Sequence, residues 1–424
     1  MGSWSVLRAR LLTTRGIGIV LVCIIMLLVL PNASFYPQYA EEPLTPTVKR
    51  TSHDADFNLA QLEDHTPITV NGDEQLAEMG IPGDGSQDDP YIIQNLEITS
   101  IGVSIGITNV HTHLVILNCL LYSMSSAERV PIVLSHSSNI TIEDCTLRGG
   151  RYGIRLRNVS EVEIVGNRIY DAIGIDVGGN IYDGYGIYVR DSNQCRIRGN
   201  IVYANYIGIA LESSEDCSIA ENNVYGNDGP GLDLSGSSEN NMVYENVFGW
   251  NSPSPSPQDN AVDRGLSNTW TRNSWSDYIP PGPYNVSGTA GSQDLEPSAL
   301  EDRNHPYMSL PQDIIAAEGS NVQVTWITSD QFPLRYRVFV DGEMQTMRTW
   351  TQNEVSFSLS GLSMGEYDLA LRFTDAAGNE AQNSVQVIIL FGVFSDIGTE
   401  LVIVASVFSV FSVALVVYVI KRKQ

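Results

Sequence analysis

Apolar and polar residues alternate with period two through the middle of the chain, in pieces only as long as a strand. One phrase recurs between Ser138 and Phe248: a β-branched residue, two spacers, then an Asn-like slot. The copies are Ile142-Glu143-Asp144-Cys145, Ile164-Val165-Gly166-Asn167, Ile197-Arg198-Gly199-Asn200, Ile219-Ala220-Glu221-Asn222 and Val243-Tyr244-Glu245-Asn246. A second phrase follows them as Gly153-Ile154-Arg155-Leu156, Gly186-Ile187-Tyr188-Val189, Gly208-Ile209-Ala210-Leu211 and Gly231-Leu232-Asp233-Leu234. The slots are separated by 22 (145 to 167), 33 (167 to 200), 22 (200 to 222) and 24 (222 to 246) residues. A period in the low twenties built from strands predicts a solenoid, each coil burying one face against the next. Alternation then points Ile140, Ile142, Cys145, Leu147, Ile154 and Leu156 inward, and Thr141, Glu143, Arg148, Arg155 and Arg157 outward. The stacked slot is expected to be structural, its amides bonding turn backbone and one another. The glycine before each Ile is expected where two backbones approach closely.

The flanks break this rhythm. Residues 34–65 are polar, Pro-bearing and aperiodic, and read as a linker. From Thr66 a short strand, a helical stretch near Glu74–Met79 and Gly83-Asp84-Gly85 predict the N-terminal cap, since a solenoid must cover its open end. Coils follow from about Tyr91, and Asp259–Pro297 is irregular and aromatic. Residues 306–391 carry longer alternating strands: 322–326, 336–340, 355–359, 367–371 and 385–388. Turn signals stand at Asp341-Gly342 and Ala377-Gly378-Asn379. Their spacing and a buried-type Trp326 predict an immunoglobulin-like sandwich without the paired cysteines of antibody domains.

The two ends are apolar. Arg8, Arg10 and Arg15 precede Ile17–Leu30, followed by Pro31-Asn32-Ala33-Ser34, so residues 1–33 read as a signal peptide or an N-terminal anchor. Residues 398–420 are expected to form a transmembrane helix. Leu401–Ile420 is free of charge and ends at Lys421-Arg422-Lys423, a length and flank that suit a bilayer. This places the bulk of the chain outside the cell or on the periplasmic side, with residues 421–424 cytoplasmic. The expected fold class is therefore all-β: a right-handed parallel β-helix over 66–300, an immunoglobulin-like sandwich and one membrane span.

Charge narrows the partners. The formal net charge is −25, and Lys49, Lys421 and Lys423 are the only lysines. Such a chain lacks the basic patches that nucleic acid requires. Cys119, Cys145, Cys195 and Cys217 pair off on neighbouring coils, either as disulfides or as small buried fillers. Asn32, Asn139, Asn158 and Asn285 lie in N-x-Ser/Thr sequons.

The coils resemble the right-handed β-helix repeats of NosD-like proteins, related to a wider group of carbohydrate-binding and sugar-hydrolysing β-helices. Three parts carry the resemblance. One is the entry Gly83-Asp84-Gly85 through Asp89-Pro90-Tyr91-Ile92-Ile93, and another is the repeats themselves. The third is Asn268-Thr269-Trp270 with Asn273-Ser274-Trp275-Ser276-Asp277-Tyr278, similar to the family's closing "GNYWSDY", with Arg272 for its Gly and Ser274 for its first Tyr. The resemblance covers about 66–300 and speaks for fold more than for function. The family's namesake helps mature a copper enzyme, yet this chain has no Met/His cluster like a copper site.

Three surfaces are candidates for function. Tyr170, Tyr203 and Tyr225 occupy one outward position on successive coils, with Arg148 one coil earlier; such a column could stack sugar rings or merely brace the rungs. Arg155, Arg157 and Arg190 form a second column able to grip acidic groups on a glycan or to pair along a solvated face. The 33-residue interval hides an 11-residue excess at 176–185, a loop where function tends to sit. Its Asp176 and Asp183 would suit an acid/base pair or oxygen ligation of a hard cation such as Ca2+. No other cofactor and no metal site is expected. No constellation matches the sugar-cleaving relatives, so the leading expectation is a membrane-anchored module that binds glycan or a surface protein. A polysaccharide lyase, epimerase or hydrolase and an architectural envelope protein are the alternatives.

Overall fold

The computed structural model describes residues 62–123, 129–177, 180–253, 259–351, 353–394, 401–409 and 412–419, with side chains of 175–182 and of 391 onward excluded. The signal segment and nearly all of the linker, with Cys23 and Asn32, lie outside the described residues.

Each coil contributes three short strands, and stacking them makes three parallel sheets. In one coil, Ile140–Glu143 joins the third sheet, Thr146–Gly149 the first and Tyr152–Arg157 the second. Register follows the repeat: Ile142 pairs with Ile164, Ile164 with Ile197, and Ile197 with Ile219. The inward residues form one continuous core, with Ile142, Ile164, Ile197, Ile219, Leu156 and Leu211 all fully buried. The helix Asp73–Glu78 closes the N-terminal end, where Leu76 enters that core.

The slot is a ladder of buried amides. Asn200 Oδ1 accepts from the Asn167 backbone N–H and Nδ2 at 2.9 and 3.0 Å, while Asn200 Nδ2 donates to Ile164 O and Asn222 Oδ1. Asn222 and Asn246 repeat the pattern, which ends when Asn273 donates to Asp294. Cys145 starts it, its amide donating to Asn167 Oδ1. Asn205, Asn227, Asn251 and Asn260 form a second ladder at the next bend, which the repeat phrase does not contain. The glycines behave as expected: a Cβ on Gly208 would stand 2.4 Å from Gly231 O. All four described cysteines are free and buried. The aromatic closing segment plugs the far end, Trp275 stacking on Tyr284 at 3.9 Å and donating to Asp294.

The C-terminal sandwich has a three-stranded antiparallel sheet, Tyr307–Met308, Gln323–Ser329 and Glu354–Ser358, facing a larger one. The larger sheet is built on Pro333–Val340, Glu343–Thr349, Gly365–Asp375 and Glu380–Phe394. Trp326, Trp350 and Phe373 fill its core. The structure departs from the helix expected at 398–420. Leu401–Ser409 and Ser412–Val419 pair as an antiparallel hairpin extending that sheet. A charge-free run rich in Val suits either state, since β-branched residues favour strands and hydrophobicity alone does not set the period. No helix among the described residues is long and apolar enough to cross a membrane.

The sandwich docks on the first sheet. Phe332, Leu334 and Ala376 pack against the column Tyr170, Tyr203 and Tyr225. Tyr203 donates to Trp350 O at 3.2 Å, and Arg168 to Thr351 O at 3.0 Å. Beside this contact, Asp302, Asp330 and Asp375 bring carboxylate oxygens within 4.8 Å of one another. Burial, with Asp375 and Asp302 close by, pushes Asp330 up to about 6.

Two outcomes are expected. Asn200→Leu removes the acceptor for two buried donors and the donor for two carbonyls, at roughly 1–3 kcal/mol for each orphaned group. Urea denaturation should show a loss of at least about 3 kcal/mol, against under about 0.5 kcal/mol for the exposed Arg198→Ala. The raised Asp330 pKa means that ionisation opposes the folded state, so stability falls as pH rises from about 4 through 6. Asp330→Asn should raise the melting temperature of the sandwich at pH 7.5 and flatten its dependence between pH 5 and 7.

Candidate functional site

The tyrosine column stands outside the coil, as its register requires, with Arg148 paired to Tyr170, Tyr170 to Tyr203 and Tyr203 to Tyr225. The ring centroids lie 5.5 and 5.2 Å apart, the first pair tilted and the second stacked. They are not open to solvent, however: Tyr170, Tyr203 and Tyr225 are 7%, 1% and 2% exposed. Three stacked rings are a large apolar strip, and the chain covers it with its own sandwich, Phe332 meeting Tyr225 edge-on. A face covered in this way offers no ring to a sugar. This corrects the expectation of a tyrosine binding platform.

The arginine column lies on the second sheet, and its charge is engaged at Arg190. Arg190 pairs with Asp191 and Glu212 at 3.3 and 3.7 Å, and Tyr188 donates to Glu212. Arg155 lies over the Tyr152 ring at 5.4 Å. Tyr152, Tyr185 and Tyr188 pack against one another as a compact aromatic group. Burial pushes Tyr185 up to about 12. Arg157 is exposed and pairs in strand register with Arg190.

The long interval forms a small hairpin, Ile175–Val177 against Asn180–Tyr182. Its neck is tight, because a Cβ on Gly184 would stand 2.5 Å from Gly174 N. Asp183 accepts from Tyr152 Oη at 2.7 Å and Arg151 Nε at 2.5 Å, which ties the hairpin to the coil. That carboxylate is held by its neighbours as an anchor. The side chain of Asp176 lies outside the described residues.

A cleft of about 710 Å3 opens elsewhere, along the outer face of the third sheet. That volume is in the range of ligand sites. Two columns of polar side chains line it. Asn139, Glu161, Gln194 and Asp216 occupy one left-handed corner on successive coils, at φ 61, 53, 53 and 55°. The corners stay aligned because Ser138, Ser160, Asn193 and Glu215 bridge in register just before them. The second column, Thr141, Glu163, Arg196 and Ser218, is the outward row of the strands that follow. His113 and Gln87 stand at one end.

The cleft concentrates unspent bonding capacity. Glu163 pairs with Arg198 at 2.6 Å. Thr141, Glu161, Gln194, Arg196, Asp216 and Ser218 make no side-chain hydrogen bond or ion pair among the described residues. Rigid donors and acceptors one rung apart, about 4.8 Å, can receive the hydroxyls of an extended polar ligand with little ordering cost. The signal was present in the sequence at outward positions around the repeat phrase: Asn139/Thr141, Glu161/Glu163, Gln194/Arg196 and Asp216/Ser218. Singly, each is an ordinary surface residue.

A family model described as periplasmic copper-binding protein (NosD) matches residues 66–288, more than half of the 424. No curated protein matches the chain. Among solved structures, the periplasmic alginate epimerase AlgG aligns at 14% identity and a TM-score of 0.33, covering 50% of this chain and 60% of its own, so this chain spans less than two thirds of it. An alginate lyase from Paenibacillus sp. FPU-7 aligns at 16% identity and a TM-score of 0.37, covering 55% of this chain and 95% of its own. Tailspike protein 2 of an Escherichia coli O157:H7 bacteriophage aligns at 11% identity and a TM-score of 0.30, covering 77% of this chain and 64% of its own. With the entry segment, the in-register coils and the closing aromatic plug all falling within or beside the matched residues, the chain belongs to the NosD family of parallel β-helix proteins.

Proposed function

We propose that the protein is an exported, membrane-anchored module that binds extracellular glycan along the cleft of its third sheet. The observation that carries this reading is the set of unpaired polar side chains on two registered columns. Sugar hydroxyls need such groups at fixed positions, and a parallel solenoid supplies them on a lattice. The tyrosine face is covered by the sandwich and Arg190 is engaged by Asp191 and Glu212, which makes the cleft the better seat for a ligand.

Copper, named in the family description, does not suit the residues present. Soft thiolate, thioether or imidazole donors would have to converge. The four described cysteines are buried, with Cys145 and Cys217 sulfurs turned to backbone carbonyls. His111 and His136 contact Ser138 and Asn158 on separate corners. Among the described residues, the one group of three potential ligand side chains is Asp302, Asp330 and Asp375, an all-oxygen set.

Anchoring is supported by the charge-free run 401–420 and the basic residues after it. A two-stranded hairpin leaves edge N–H and C=O groups unpaired, which lipid does not tolerate, so in a bilayer this run is read as one helix.

Two measurements test the proposal. The full chain in detergent should bind oligosaccharides on a glycan array, and Ser218→Trp, which fills the cleft, should weaken binding at least about tenfold; undiminished binding refutes the site. Release of reducing or unsaturated ends from a bound glycan would instead favour a sugar-cleaving activity. In membranes, the chain should resist extraction by alkaline carbonate, and a chain ending at residue 394 should be released; release of the intact chain refutes the anchor.

A further inference from the structure

We propose that the cleft on the third sheet selects glycans bearing free amines over uronate polymers. This rests on the glycan-binding reading above and adds the charge class of the ligand. Glu161 and Asp216 stand on the same corner column, two rungs apart, with Gln194 between them. Neither carboxylate has an ion-pair partner among the described residues. The third acid, Glu163, is held by Arg198. Arg196 is the unpaired guanidinium of the lining, on the rung between Glu163 and Ser218. A ligand lying along the columns therefore passes two free carboxylates for one free guanidinium.

The surroundings push the same way. The chain has 49 acidic residues against 24 lysines and arginines. Its field attracts a polycation and repels a polyanion before contact. Ammonium groups on alternate sugars can meet Glu161 and Asp216, two rungs apart, while Gln194 between them bonds to a hydroxyl. A uronate polymer would set carboxylates against both acids, with Arg196 alone to offset them.

The contacts are exposed to water, so the selectivity is modest and salt-sensitive. The test uses the full chain in detergent at pH 6 and low salt, with three pentamers: glucosamine, N-acetylglucosamine and galacturonate. Isothermal titration should show the glucosamine pentamer binding about three- to tenfold tighter than the acetylated one, and the galacturonate pentamer weakest. The preference should vanish in about 1 M NaCl, where the Debye length is about 3 Å. In the double variant Glu161→Gln/Asp216→Asn the amine-to-acetyl affinity ratio should fall to about one. Each substitution copies a residue already tolerated at that corner on a neighbouring coil, Gln194 beside Glu161 and Asn240 beside Asp216, and an unchanged thermal melt verifies folding. Equal binding of the three pentamers, tighter binding of the galacturonate, or a preference that survives in the double variant overturns the charge selectivity while leaving glycan binding intact. Absence of binding by all three overturns both.

Discussion

A parallel solenoid must turn its chain sharply several times per coil, and each turn strands backbone groups inside an apolar core. The side-chain amide of asparagine resolves this. It accepts from the amide of the coil before it and donates to a carbonyl there, then donates again to the amide stacked on it. One residue type satisfies both partners because it carries donor and acceptor in one plane. Once the first ladder runs from Asn167 to Asn273, the register of every other side chain is set. Inward isoleucines stack on isoleucines, and outward columns fall into line without further instruction.

Those outward columns then met different fates, and the difference is physical. Aromatic residues in line make an apolar strip, and the chain buries it under Phe332 and its neighbours. Opposite charges in line pair off, as Arg190 does with Glu212. A mixture of amides, hydroxyls and charges held at left-handed corners finds fewer partners, because its neighbours one rung away seldom complement it. The cleft is what remains when the other two ways of satisfying a surface have been used.

Much of the fold was legible in the chain. The period gave the coils, the slot gave the ladder, and the glycine before Ile gave the close approach seen at Gly208. The sandwich strands fell where alternation placed them. The docking of sandwich on solenoid was not legible, since Phe332 and Tyr225 are far apart in sequence and neither carries a mark of the other. For that reason the tyrosines looked like a binding platform. The 11-residue excess drew attention as an irregularity, yet Asp183 within it serves to fasten the hairpin. The cleft was hidden for the opposite reason: it is made of regular positions whose meaning appears only when neighbouring coils are laid side by side. The C-terminal run shows a further limit, because an apolar stretch without polar alternation does not declare a helix or a strand.

The seat of the sandwich has a mechanical consequence. Its contacts reach Arg168, Asp171, Tyr203, Gly226, Asp228 and Trp250, on several adjoining coils before the last. A tension drawn through the C-terminal segment would enter the solenoid sideways, as shear shared among those rungs. It would not peel the final coil from its neighbour, which is the weakest way to load a stack. The tyrosine ladder thus serves as a bracket, spreading over many backbone hydrogen bonds a pull that the closing Trp275–Tyr284 plug would otherwise have to resist alone.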